Sequence, residues 1–318
     1  MLSFRYHVTS LVAVFLALAA GIALGGGPLQ HLGRGSSDQE LASARAKLAH
    51  QRSTAAGLRQ QASLADQFAA ATGPRLVAGK LSGHTVSLVL LPGADPQVVA
   101  GLSDLLSRAG ARLGATFTVQ PKTTQAANRQ LVDALTSQLA TQERQVSVPP
   151  AASTYERLGV LLGRLAGSTT KGGAPYDATA VSILAGLDTA GLVTAKGQPQ
   201  RRGDLVLVVA GAPDAGNDPE AAPAIEAAVA GAMAPGTRGV VVAGPTTSAT
   251  GGGVIHEVRS AGTGKSVTTV DSVDTGPGQV ATILATAAAA AGGHGAYGVA
   301  GDASGPLPGV AGSRPSSS

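Results

Sequence analysis

Six histidines, two methionines and no cysteine limit the side-chain chemistry open to this chain of 318 residues. Without cysteine there is no disulfide framework, no thiol nucleophile and no thiolate metal site. Soft metal ions prefer sulfur or clustered imidazoles, yet the only thioethers are Met1 and Met233, and His7, His31, His50, His84, His256 and His294 follow no ligand spacing. His256-Glu257 lacks the second histidine of a zinc-protease helix, and its neighbours Val254, Ile255 and Val258 predict a strand over 254–258. Gly262-Thr263-Gly264-Lys265-Ser266 imitates the end of a phosphate loop, but Arg259 stands where the earlier glycine is needed and strand-like VTTV follows. Gly293-His294-Gly295-Ala296-Tyr297-Gly298 matches the dinucleotide pattern GxGxxG in the wrong context, after a helix and before a tail, and reads as a tight C-terminal turn. Asp271-Ser272-Val273-Asp274 follows a strand, where it either holds a cation or polymer or is an acidic turn in which Asp274 caps the last helix. His294 and Tyr297 offer a polar site or a solvated turn. No nucleophile with a placed base stands out, so the chain is read as non-enzymatic, with no catalytic or cofactor-binding residue and no assignable metal ligand.

The element that positions everything else is the uncharged run 8–24, VTSLVAVFLALAAGIAL, which with its glycine border gives a membrane anchor over 8–27. About 20 apolar residues suffice for a helix to cross a hydrocarbon core. A cleavable signal peptide competes, since Ala17-Leu18-Ala19 resembles a cleavage site, but the apolar run continues through Ile22 and Leu24. A buried core helix is the third reading, and the lack of a polar face argues against it. Met1, Arg5 and His7 before the run, against Arg34 after it, place 1–7 in the cytoplasm and the remainder outside. Ala13, Ala17, Ala20 and Gly21 give the run one small-residue side that lets a second helix approach.

Beyond Gly25-Gly26-Gly27-Pro28, the Ser36-Ser37-Asp38 stretch predicts a helix start. Leu41, Leu48, Ala55, Ala62 and Ala69 then fall seven apart, with Ala44, Gln51, Leu58 and Ala65 three after the first four. That spacing makes a heptad seam, read as a coiled-coil stalk over 36–72 that self-associates through Leu41, Leu48 and Leu58 as a homodimer, and closed by Gly73-Pro74. A single helix packed on its own domain is the competing reading, because the seam is alanine-rich and carries Gln51.

From residue 74 to 300 strands alternate with helices. Strands are expected at 86–91, 115–119, 204–210, 239–243, 254–258 and 267–270, and helices at 96–109, 128–141, 155–165, 177–190, 219–233 and 279–291. DLVLVVA at 204–210 is apolar on both faces, which belongs to a parallel sheet covered on each side. The fold class is therefore α/β: a single N-terminal transmembrane helix, a helical stalk, an open and mostly parallel α/β domain, and a disordered tail over 301–318. Hydrophobic residues make up 44% of the chain and aromatics 3%, so the core is built from Ala, Val and Leu. An excess of Lys+Arg 23 over Asp+Glu 19 gives pI ≈ 9.6, but scattered bases without interleaved aromatics do not indicate nucleic acid.

The opening SFRYHVTSLVAVFLALAAGIALG, DLVLVVAG at 204–211, VVVAG at 240–244, SVTTVDSVDTGPGQVATILA at 266–285 and GGHGAYG at 292–298 occur in an order that resembles the actinobacterial copper transporter family, the MctB-like copper transport proteins of mycobacteria. The resemblance spans nearly the whole chain except the tail. It implies a cell-envelope protein of copper efflux and copper tolerance, described in that family as pore-forming and outer-membrane, with copper as transported ion. The matched positions are hydrophobic, glycine or turn residues, so no ligand or pore residue carries over. A single helix has no lumen, and barrel strands of about ten alternating residues are not seen. A membrane-anchored dimeric scaffold that recruits cell-wall or cell-division partners is the alternative. Inner or outer membrane is left open.

Overall fold

The protein is described by a computed structural model over residues 14–18, 29–143, 146–213, 218, 220–262 and 266–309, with backbone alone for 29–40. The expected N-terminus at 1–7, most of the anchor at 8–27 and the tail beyond 309 lie outside the described residues; 14–18 are helical. Among the described residues no helix is long and apolar enough to cross a membrane. The chain divides into two units, Met1–Ser63 and Leu64–Ser318.

The first unit is described chiefly by helix α1, Leu29–Val77, which continues into the second unit. Its limits correct the sequence expectation: it starts before Ser36 and passes through Gly73-Pro74. A proline inside a helix costs about 3 kcal/mol through a lost backbone bond and ring clash. Packing of the last turns offsets that cost. Ala69 and Val77 are buried, a Cβ on Gly73 would stand 2.6 Å from Val280, and Asp66 accepts the Gly276 N–H at 2.8 Å.

The second unit is a three-layer α/β/α domain. Its main sheet contains β1 (Thr85–Leu90), β2 (Arg112–Val119), β4 (Val193–Ala195), β6 (Leu205–Val209), β7 (Gly239–Ala243), β8 (Thr268–Val270) and β9 (Ala296–Tyr297), in the order β4-β2-β1-β6-β7-β8-β9. All neighbours run parallel except β2 and β4. A small second sheet pairs β3 (Ala174–Pro175) with β5 (Arg201–Arg202). The helices are α2 (Pro96–Arg108), α3 (Arg129–Gln142), α4 (Thr154–Ala166), α5 (Ala178–Thr189), α6 (Ala222–Ala232), α7 (Val254–Ser260) and α8 (Gly276–Ala290).

Side chains alternate across a strand, and β6 divides accordingly. Leu205, Leu207 and Val209 join the layer made by α2, α8 and the end of α1, whereas Val206 and Val208 join the layer of α3 to α7. Burial of both faces is why LVLVV and GVVVA carry no polar residue.

Three local expectations are corrected. Residues 254–258 are helical, because Val254, Ile255 and Val258 lie on one helical face and are buried together, overriding their strand preference. Residues 293–298 do more than turn: Ala296 and Tyr297 form edge strand β9 beside β8. Residues 301–309 are not a free tail, since Ser304 N–H donates to Ala296 at 2.7 Å and Leu307 packs against the core.

Helix α4 approaches α6 through Gly159 and Gly163, one turn apart. A Cβ on Gly159 would collide with the Val229 carbonyl and stand 2.7 Å from the Ala232 methyl. Gly159→Ala therefore destabilises the domain by about 1–3 kcal/mol, because overpacking outweighs alanine's gain in helix propensity. Urea unfolding with an unchanged m-value checks this; equal or greater stability would contradict the contact.

Candidate functional site

In an open α/β sheet the functional crevice lies beyond the carboxyl ends of the strands, where the order reverses. Here β1 leads to β2 on one side while β6 leads to β7, β8 and β9 on the other, so the reversal lies between β1 and β6. The chain leaves β1 through Pro92-Gly93 and β6 through Gly211, and α6 then brings Glu226 beside both turns. Glu226 is 8% exposed, and burial pushes its carboxyl up to about 8. No hydrogen bond joins it to another described residue. The sequence carried a signal for it that was overlooked: Glu226 is the single charged residue in APAIEAAVAGA.

Further along the same edge, Asp271 is fully buried at the end of β8. It accepts the Val299 N–H at 2.6 Å and pairs with Arg259 at 3.1 Å. Arg259 in turn donates to Thr269 at 3.0 Å, Asp302 at 2.6 Å and the Tyr297 carbonyl at 3.0 Å. The carboxylate expected to receive a cation or polymer is thus occupied by the protein itself. Asp274 does not cap the last helix; it accepts from the Thr246 backbone at 3.0 Å, and Thr275 is the cap, accepting from Gly278 at 3.1 Å. Ser272 is held at φ 69, the left-handed region uncommon for residues other than glycine. This loop is a bracket that holds 298–302 to the sheet.

The opposite edge contains a histidine–carboxylate pair. Asp204 is fully buried, accepts from His84 Nδ1 at 2.6 Å and from the Thr85 N–H at 2.7 Å. That bond fixes the ring and leaves Nε2 as the free nitrogen. Residue 84 and residue 204 are 120 apart in the chain, so spacing gave no hint of the pair. Within the same unit His256 and His294 are not gathered with it; His50 belongs to the first unit, and His7 and the side chain of His31 fall outside the described residues. Among the described residues no group of three His, Asp or Glu is arranged to hold a metal ion.

A groove of about 900 Å³ lies at the start of β7, walled by Pro149, Ala152, Val160, Ala232 and Pro235, with Arg238 and His294 at its margin. Glu156 also lines it, but is engaged in the α4 capping box, where the Ser153 N–H bonded at 2.7 Å holds its carboxyl below the usual range. His294 faces this groove, whereas Tyr297 packs into the core on the α8 side, so the two do not form one site. Although larger than the Glu226 cleft, the groove has no mostly buried carboxyl free of hydrogen bonds in its lining. The glycine stretch 262–266, described only at Gly262 and Ser266, lies between helix α7 and strand β8, the reverse of a phosphate loop.

The proposed seam residues are helical and open to solvent: Leu41 is 52% exposed, Leu48 50% and Leu58 61%. At 100° per residue they share a stripe with Ala69, the residue that packs against Gly276. The competing reading, a helix packed on its own domain, thus describes the last turns of α1.

Residues 1–308 match the family described as "Copper transport outer membrane protein, MctB". The chain is 31% identical over 326 residues to proteins named copper transporter MctB from Mycobacterium bovis and Mycobacterium tuberculosis, covering 94% of this chain and 96% of each relative. The corresponding protein of Mycobacterium leprae is 30% identical over 320 residues at the same coverage. Since the match runs from the apolar N-terminal stretch through the packed C-terminal segment, the chain belongs to the MctB family of copper transport proteins.

Proposed function

We propose that this protein serves copper transport in the cell envelope, lowering cellular copper and conferring copper tolerance, as a single-pass membrane protein with its α/β domain outside the cytoplasm. The observation that carries the reading is the family match over residues 1–308, joined to near-complete coverage of relatives named copper transporters. The uncharged run 8–24 supplies the anchor in this proposal, and the domain is non-enzymatic.

Sulfur ligation on the domain surface is unavailable by composition, since there is no cysteine and Met233, the single internal methionine, is fully buried. Copper handled by this chain is therefore met by imidazole or carboxylate, for which His84 Nε2, oriented by Asp204, is the best-ordered donor. Competition of the full-length protein with a chromophoric copper(I) chelator tests this. Binding weakened at least tenfold by His84→Ala supports it; unchanged affinity contradicts the role of His84.

A second reading is favoured by the exposed stripe of Leu41, Leu48 and Leu58. It is a homodimeric scaffold in which paired α1 helices present two α/β domains to an envelope protein. Leu48→Asp with Leu58→Asp is expected to convert a dimer to monomer by light scattering, because two charges in a heptad seam must be buried to preserve it. An unchanged dimer would remove the seam from the account.

A further inference from the structure

We propose that the cleft at the β1/β6 reversal binds a small ammonium-type cation, with Glu226 as its counter-charge. This goes beyond copper transport and does not depend on it.

Three observations meet at this point. The first is topological: the cleft lies at the carboxyl edge where the strand order turns back between β1 and β6. The second is the side chain itself. Glu226 is more than nine-tenths buried, lines the cleft and hydrogen-bonds to no other described residue. Burial strips most of the water from this side chain, while its carboxyl oxygens keep a small opening to solvent and so remain reachable by a partner that enters the cleft. Its neighbours Ala222, Val229 and Ala230 show that an apolar residue suits α6.

The third observation identifies the partner's chemistry. The cleft is about 10 Å³, close to the smallest space that holds one water-sized group. Pro92, Pro213 and Pro223 line it, and proline has no N–H to donate to the Glu226 carboxyl. A Cβ on Gly211 would meet the Pro92 carbonyl oxygen at 2.5 Å, so glycine is what lets the two turns close over the space. No other titratable side chain lines the cleft among the described residues, and burial is the one cause acting on the Glu226 carboxyl. A water-sized space with one acidic side chain and no basic side chain in its described lining suits a small group that donates hydrogen bonds and carries one positive charge. An ammonium head has that size, charge and donor set. Free ammonium and the amino group of a primary amine share it.

Binding converts a protonated carboxyl to a carboxylate paired with the cation, and the carboxyl proton leaves to solvent. The balance is one cation taken up and one proton released.

The test is proton release from the full-length protein in weakly buffered detergent solution near pH 7, on addition of ammonium chloride or methylammonium chloride. Tetramethylammonium chloride, which has no N–H, serves at matched ionic strength. About one proton per chain at saturation is expected from the native protein, and none from Glu226→Gln, which keeps the side-chain shape. Release with both salts assigns the site to amino groups generally, and release with ammonium alone assigns it to the free ion; either supports the proposal. Equal release from the native protein and Glu226→Gln, or equal release with tetramethylammonium, overturns it. A rise in thermal midpoint with ammonium, present in the native protein and absent in Glu226→Gln, is the expected second readout.

Discussion

Glu226→Gln is expected to flatten the pH dependence of folding stability between about 4.5 and about 8. The unfolded carboxyl has the ordinary value of 4.5, whereas burial raises it to about 8 in the folded chain. Within that window the folded state keeps a proton that the unfolded state has lost. The stabilisation from this group is therefore fully present below the unfolded value, declines as pH rises, and is gone above about 8. Glutamine has no proton to lose. Across the window the difference between variant and parent shifts toward the variant by roughly 5 kcal/mol, from about 1.4 kcal/mol for each unit of displacement. Urea unfolding of both proteins at several pH values reads the shift directly. Parallel stability curves would show that Glu226 is solvated and that the cleft is not closed around it.

Arg259→Ala carries the second large effect. The guanidinium is 8% exposed and the Asp271 carboxylate it meets is fully buried. Removing one member of a buried pair leaves an uncompensated charge, at a cost of about 3–5 kcal/mol. Asp271 keeps the Val299 N–H, but Asp302, Thr269 and the Tyr297 carbonyl lose their common donor. Lysine does not substitute, since the contacts leave through Nε, Nη1 and Nη2 in different directions. Adding Asp271→Asn to Arg259→Ala recovers part of the loss, because the stranded charge disappears with it. The segment 298–309 is expected to become the first site of proteolytic cleavage in the single variant. Native stability in Arg259→Ala would contradict the bracket.

The parts of this fold legible in the sequence are those where one requirement dominated. Leu205–Val209 and Gly239–Ala243 are buried on both faces, so composition alone marks them as central parallel strands. Asp177 before α5 and Ser153 before α4 mark helix starts through side-chain oxygens that accept backbone N–H groups. Where requirements competed, local reading failed. Val254, Ile255 and Val258 prefer strands as residues but share a helical face that the core needs. Pro74 suggests a stop that the packing of Val77 and Ala69 overrides. Ala296 and Tyr297 form a strand because β8 presents an open edge, which is a property of the assembled sheet. The site residues follow the same division. Leu41, Leu48 and Leu58 were legible as a periodic stripe, whereas the His84–Asp204 and Arg259–Asp271 pairs are products of topology. Asp271 and Asp274 were singled out for their position after a strand, yet their lone pairs are filled by backbone and arginine donors.

The measurement that tests copper transport most directly is total cellular copper, by mass spectrometry, after a fixed copper load in cells with and without this protein. Cells lacking it are expected to accumulate several times more copper, and the full-length chain supplied in trans is expected to restore the lower level. Equal copper content in the two strains, with the protein produced and anchored in the complemented one, would contradict the transport reading and leave the dimeric scaffold as the better account.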